Sequence, residues 1–436
     1  MKRWILKNAA VYAEADNIQQ GYVLIEGEKV ASIGPMSSCP AEAGAEVIEL
    51  SPRFAVVPGF IDVHIHGAAG ADVMDATPEA LDKMANALPA EGTTSFLATT
   101  MTAPSEQIEA ALRNVARYMT EENRPGVSEV LGVHLEGPFL SPKRAGAQHP
   151  RHLADPDISL FQHWQKEAGG HIRLVTLAPE RNGGLELASY LKQTGVIASI
   201  GHSDAVYDEV KAAVHAGVTH ATHLFNGMRG IHHREPGVAG AVLMFEEVMC
   251  ELIADGLHVA PPMVRFAYRN KGSEGLILIT DAMRAKCLGD GEYDLGGQEV
   301  EVCGGEARLA DGTLAGSVLK LGEAIRRVLD YTGCTLEEVI RMASWNPAKQ
   351  LGLLDRKGSL RPGKDADVVV LNERYEVMMT FCRGALAYRK PDERSIPVRS
   401  FSGDLIKKSP LGMMQGCQTI PTIMPRRTSD ELYTKL

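Results

Sequence analysis

The sequence predicts an α/β protein, a (β/α)8 TIM-like barrel carrying a small β domain formed by both chain ends. Eight short apolar strands recur between Phe60 and Met283, and amphipathic helical stretches separate many of them. That alternation is the pattern of a parallel barrel whose active site lies at the C-terminal strand ends. The two chain ends instead read as strands and turns with no sustained helical period.

In chain order, WILKNAAVY, GYVLIEGEKVASIG and AEVIELSPR are short strands punctuated by Gly and Pro. The texture changes at Val57-Pro58-Gly59. The barrel strands follow: FIDVHIHG, TTSFLATT, EVLGVHLEGP, IRLVTLAPE, VIASIGHSD, VTHATHLFN, MCELIADGLHV and LILITDAM. Helical spacing of apolar residues marks TPEALDKMANAL, SEQIEAALRNVARYM, GLELASYLKQTG, DAVYDEVKAAVHAG and PPMVRFAYRNK between them. A Gly-rich stretch over 287–316 reads as a hairpin insertion or lid. SVLKLGEAIRRVLDYT, TLEEVIRMAS and NPAKQLGL read as helices, and strand character returns from Lys357. The expected division is a small β domain from 1–56 and 357–391, a barrel over 57–356, and a flexible C-terminal extension over 392–436.

Composition bounds the function. Of 436 residues, 44% are hydrophobic and 23% charged, which excludes wholesale disorder. The formal net charge of −10 argues against a nucleic-acid partner. No apolar run approaches the ~18 residues of a membrane span. In MKRWILKNAA, Lys7 and Asn8 interrupt the apolar stretch too early for a secretory signal. The 7 cysteines are scattered with no C-x-x-C, as expected of reduced thiols in a cytoplasmic protein.

The chemistry sits at the strand ends. His64 and His66 close the first barrel strand, and side chains two apart share a face. Glu136 ends the third strand, His202 the fifth, His223 the sixth, His258 the seventh and Asp281 the eighth. Titratable groups delivered to one rim are costly to bury unpaired. A bound cation would compensate the carboxylates and organise the imidazoles, and Zn or Fe suits His/Glu ligation. One or two divalent ions per chain are expected. His134 shares a face with Glu136 one layer deeper and reads as a packing or supporting residue. His220 is out of phase with His223 and reads as structural. His149, His152, His163, His171 and His215 read as loop or surface residues. His232 and His233 fall in the 228–237 loop at the barrel mouth.

The order H-x-H, Glu, His, His, Asp on a barrel with a split β domain resembles the amidohydrolase superfamily. Finer motifs resemble its N-acetylglucosamine-6-phosphate deacetylase family: PGFIDVHIHG, HLEGPF, GHSDA, THLFNGM, REPG, DGLH, TDAM and LAGS, in that order. The resemblance implies that Glu136, His202 and His223 hold the principal metal. It also implies that His64 and His66 form part of a second metal site and that Asp281 is the general acid/base. Ala147, Gln148, Asn226, Gly227, Arg234, His258 and the segment Leu314, Ala315 and Gly316 match substrate-contacting positions. Two departures are visible: Gly227 stands where Ala is common, and Gln148 where some members have His. The tail beyond 392 has no counterpart in the resemblance.

The implied reaction is hydrolysis of an N-acetyl amide on a phosphorylated amino sugar, within amino-sugar catabolism. The resemblance favours a homodimer in which Arg234 reaches the neighbouring chain's phosphate. Three alternatives stay open: a deacetylase for the galactosamine epimer, a dihydroorotase-like or D-aminoacylase-like hydrolase, and a catalytically inactive barrel used as a binding subunit. The second would lack REPG and THLFNGM, and a hydrolysis assay separates the third.

Overall fold

A computed structural model describes residues 2–391 and 398–400. Eight parallel strands form one sheet, at Phe60–Ile65, Thr93–Thr100, Glu129–Glu136, Ile172–Leu177, Ile197–Ile200, Val218–Ala221, Met249–Ile253 and Leu276–Ile279. Each strand neighbours the next in chain order. The first and last meet through an Ile65–Ala282 bridge and a 2.8 Å bond from the Asp281 N–H to the His64 carbonyl, which closes the barrel. All eight are the strands expected from the sequence.

A helix follows every strand: Pro78–Ala87, Ser105–Glu121, Ile158–Glu167, Gly184–Thr194, Tyr207–Ala216, Gly237–Met244, Pro261–Lys271 and Leu321–Thr332. Two of these were not expected. Ile158–Glu167 buries only Phe161 and Trp164, too narrow a stripe to register as a period, although Asp157 caps it by accepting the Leu160 N–H. Gly237–Met244 is apolar all round, with Gly237 through Val242 buried, so it has no polar face to reveal a helical repeat.

Both chain ends build a nine-stranded sheet. Its strand Arg3–Tyr12 shows why register matters. Trp4 and Leu6 enter one apolar cluster while Ile5 enters another on the opposite face. Asn8, at φ 76°, shifts the register, so that Ala9 and Val11 rejoin the cluster of Trp4. A single bulge residue reverses the alternation. Ala55–Pro58 belongs to this sheet, so the sheet extends past the expected boundary at 56. Within the expected extension, Val398–Ser400 pairs antiparallel with Glu46–Glu49. Residues 392–397 and 401–436 lie outside the described residues.

After the eighth strand, Gly291–Leu295, Gln298–Cys303 and Glu306–Arg308 form a three-stranded antiparallel sheet. Its Leu295, Val300 and Val302 pack against Met101 and Met283, so the insertion is seated on the barrel mouth. The buried Lys357 ammonium lies 2.7 Å from Glu129, at the foot of the third barrel strand, and also meets Asp367, which precedes a strand of the nine-stranded sheet. Among the described residues no helix is long and apolar enough to cross a membrane.

Candidate active site

The strand ends converge on Glu136. Its Oε1 lies 3.2 Å from His202 Nε2, 3.1 Å from His223 Nε2 and 3.6 Å from His64 Nε2, and its Oε2 lies 3.3 Å from His66 Nε2. Asp281 Oδ1 reaches His64 Nε2 at 3.3 Å and His66 Nε2 at 3.2 Å. Two groups therefore share one centre, Glu136 with His202 and His223, and His64 with His66 and Asp281. All these residues are buried or nearly so.

The donor set fits a cation. His202 Nδ1 faces the Arg144 carbonyl at 2.7 Å. A carbonyl only accepts, so the ring proton sits on Nδ1 and Nε2 keeps its lone pair. That lone pair then faces Glu136 Oε1, another acceptor, and His223 Nε2 at 3.0 Å. Converging acceptors with no proton between them need positive charge. Without an ion, protons supply it: burial alone would lower His66, but hydrogen bonds to Asp281 and Glu136 lift it to about 9. Burial raises Glu136, yet the charge of His64 and bonds from His202 and His223 hold it well below the carboxylate range.

The local backbone is strained where the chemistry is. His202 (φ 47°), His223 (φ 30°) and Asp281 (φ 48°) all adopt left-handed conformations that side chains disfavour. Neighbouring backbone bonds hold them, such as Ser317 N–H to the Asp281 carbonyl at 2.7 Å and Ser141 N–H to the His202 carbonyl at 2.9 Å. Gly227 has φ 56°, and a Cβ there would lie 2.9 Å from His202 Nδ1. Alanine at this position would press on a ring of the cluster, so glycine suits this backbone.

A cavity of about 220 Å³ opens onto the cluster. His66, Glu136, His202, His223 and Asp281 form its floor, and Ala147, Gln148, Asn226, Gly227, His258, Leu314 and Gly316 line it. Arg234, Ala315 and Gln148, three of the expected contact residues, are placed differently from the rest. Arg234 is exposed, with its guanidinium 2.7 Å from His233, and does not line its own chain's cavity. Ala315 is buried behind the wall, its N–H on the Ala307 carbonyl. Gln148 has both ends engaged, its amide donating to Glu136 Oε2 at 2.7 Å and its oxygen accepting the Thr102 N–H at 2.9 Å. It braces the carboxylate more than it offers a free contact.

The inserted sheet contributes Leu295 to the wall and fixes the Ala147 carbonyl through Gln298 Nε2 at 2.6 Å. His258 Nδ1 lies 2.6 Å from Asp255 Oδ2. Burial would lower His258, but this bond raises its pKa overall. Asp255 was missed in the sequence, although the D-x-x-H spacing in DGLH carried the signal. Glu251 was also missed. It is fully buried beneath the cluster, with Oε2 2.9 Å from His64 Nδ1. Its signal was a lone carboxylate inside the apolar strand MCELI. His134 packs edge-on against His64 with ring centroids 4.5 Å apart, and its Nε2 meets Thr176 Oγ1 at 2.7 Å.

Residues 55–387 match the amidohydrolase family. The chain is 47% identical over 385 residues to the N-acetylglucosamine-6-phosphate deacetylase of Bacillus subtilis, covering 88% of this chain and 97% of that protein. It is 41% identical over 358 residues to an N-acetylgalactosamine-6-phosphate deacetylase of Escherichia coli O157:H7, covering 82% and 92%. Among solved structures it resembles a mutant N-acetyl-D-glucosamine-6-phosphate deacetylase from Mycobacterium smegmatis, in complex with N-acetyl-D-glucosamine-6-phosphate. The TM-score is 0.83 at 35% identity, covering 89% of this chain and 100% of that one. The N-acetylglucosamine-6-phosphate deacetylase of Thermotoga maritima gives a TM-score of 0.80 at 35% identity, covering 88% and 100%.

Glu136 is the acceptor common to both groups, so Glu136→Ala should disable the whole centre. Purified Glu136→Ala protein is expected to carry less than about a tenth of the wild-type metal by elemental analysis, with unchanged far-ultraviolet circular dichroism. Full metal content in the variant would remove Glu136 from the ligand set.

Proposed function

The chain belongs to the amidohydrolase family, and from that premise we propose that it hydrolyses the N-acetyl group of N-acetyl-D-glucosamine 6-phosphate. The products are acetate and D-glucosamine 6-phosphate, a step of amino-sugar breakdown or recycling. One observation carries the reading: a buried carboxylate faced by four imidazoles, with Asp281 beside it, floors a cavity in a chain 47% identical to such a deacetylase.

In this reading Glu136, His202 and His223 hold the principal divalent metal, Zn or Fe, and His64, His66 and Asp281 face a second. A bound divalent ion supplies Lewis acidity toward water and toward the amide carbonyl. Asp281 supplies the proton path. In the metal-free protein burial raises its pKa, but the charge of His64 and the hydrogen bond from His66 outweigh this and hold it low; with an ion bound, the nearby cation would hold it low in their place. It is therefore a base when water adds to the acetyl carbon and takes the proton that water loses. It returns that proton to the amide nitrogen as the C–N bond breaks, so the amine leaves neutral and acetic acid remains, which releases water's second proton to become acetate. His258, steadied by Asp255, faces the cavity and orients the sugar or the developing oxyanion. Leu314, Gly316 and the Ala147 segment wall the sugar in.

The 6-phosphate needs positive charge. The described cavity lining contains no Lys or Arg. Arg234 sits on the exposed 228–237 loop beside Ile231, which is 49% exposed. These observations support a homodimer in which Arg234 completes the partner's phosphate site, with Asn226 and the Gly227 N–H as neutral donors. A guanidinium there gives a bidentate grip on phosphate. A second substrate reading is the galactosamine epimer, favoured by the 41% identity to a deacetylase of that sugar. The two sugars differ at C4 alone. A cytoplasmic location is consistent with the six free cysteines among the described residues.

Metal-loaded protein should release acetate from N-acetylglucosamine 6-phosphate with kcat/KM at least about tenfold above that for the galactosamine epimer, a margin of ~1.4 kcal/mol in transition-state binding. The unphosphorylated sugar should be poorer still. A preference for the galactosamine epimer would select the second reading, and no acetate from either would end both.

Mixing Arg234→Ala with Asp281→Asn, each inactive alone, tests the shared site. After verified subunit exchange, one of the two pockets in each heterodimer is complete, so activity should recover to about half the wild-type value per heterodimer. No recovery would assign Arg234 to its own chain.

A further inference from the structure

The seventh barrel strand, Met249–Ile253, is apolar except for Glu251, and Glu251 is fully buried. Such a carboxylate must be matched by donors or it destabilises the fold. Its matching is specific. Oε2 lies 2.9 Å from His64 Nδ1 and accepts the His223 N–H at 3.1 Å, while Oε1 lies 3.0 Å from His220 Nε2. The Glu251 carbonyl accepts the neighbouring Leu224 N–H at 2.9 Å. His220 Nδ1 has no hydrogen-bond partner, so the carboxylate is that ring's one polar contact.

We propose that Glu251 is the positioning residue of the metal centre, fixing the ring of His64 through Nδ1 and pinning the left-handed backbone of His223, so that both rings present Nε2 to the ions. This rests on the metal reading given above. A carboxylate facing Nδ1 keeps the proton there and leaves the Nε2 lone pair free. In this chain that lone pair points at the cluster, 3.3 Å from His66 Nε2 and 3.3 Å from Asp281 Oδ1. The other three imidazoles are backed differently. His202 Nδ1 faces a backbone carbonyl, and Nδ1 of His66 and of His223 has no partner. His64 is thus the one ring of the four that a carboxylate steers. His223 depends on the same oxygen through its backbone at φ 30°. One buried side chain therefore orients a ligand in each group, and His220 holds that side chain from the far side.

The test is titration of metal-free, full-length protein with Co2+, followed by calorimetry and visible absorption. Wild type, Glu251→Gln and Glu251→Met are compared. Glutamine keeps an acceptor oxygen for His64 and His223 but loses the charge, and methionine keeps bulk without an acceptor. Affinity for the weaker-held ion is expected to fall about tenfold in Glu251→Gln and about a hundredfold in Glu251→Met, with altered cobalt bands in both. That graded partial rescue marks positioning. A merely structural role would lower the melting temperature of the metal-free variants and leave cobalt affinity and bands unchanged, which overturns the proposal. If Glu251→Met does not fold, Glu251→Gln decides alone: affinity within about twofold of wild type with the same spectrum overturns it, and a larger loss supports it. Failure of the metal reading itself is separate, because wild type would then bind no cobalt.

Discussion

The Glu136 carboxylate is the group on which the rest of the site depends. Burying an isolated carboxylate costs several kcal/mol even after the protein relaxes. Here the anion is 2% exposed and four imidazoles face it from four directions. Two of those rings have Nδ1 committed to acceptors behind them, so when neutral their Nε2 atoms bring lone pairs and not protons. The arrangement is balanced only when further positive charge enters, as protons in the metal-free protein or as an ion in a metal-loaded one. Gln148 and the backbone behind it brace the same carboxylate from the cavity side.

Holding that geometry takes the whole barrel. Glu136 and the groups around it come from the ends of five different strands, so their positions are set by closure of the eight-stranded sheet. The bond from Asp281 N–H to the His64 carbonyl that helps seal the barrel also sets the Asp281 carboxylate against the H-x-H pair. Left-handed residues at 202, 223 and 281 turn their side chains inward at a conformational cost, roughly 1–3 kcal/mol each. The surrounding core over-determines them. The inserted sheet over 291–308 adds the remaining wall, and its own small apolar cluster anchors it on Met101 and Met283.

Much of this was legible in the sequence because parallel barrels write their active sites in a simple code. A strand is a short apolar run, and the polar residue that ends it points into the mouth. FIDVHIHG, HLEGPF, GHSDA, THLFNGM and TDAM therefore name the groups that the structure brings together around Glu136. What stayed illegible depends on partners across the barrel. Glu251 reads as an anomaly in MCELI until His64, His220 and His223 surround it. Gln148 reads as a free contact until Thr102 and Glu136 occupy both its ends. Arg234 reads as a phosphate contact from the sequence, but which chain's cavity it serves depends on a loop that carries it away from its own. The helix Gly237–Met244 escaped notice because a segment buried on all sides has no amphipathic period.

The most direct measurement is anomalous diffraction from crystals of active protein, collected above and below the absorption edge of its native metal. The account predicts a peak bonded to Glu136, His202 and His223 at about 2.0–2.2 Å from each ligand atom. Active crystals with no anomalous density among these three residues would contradict it.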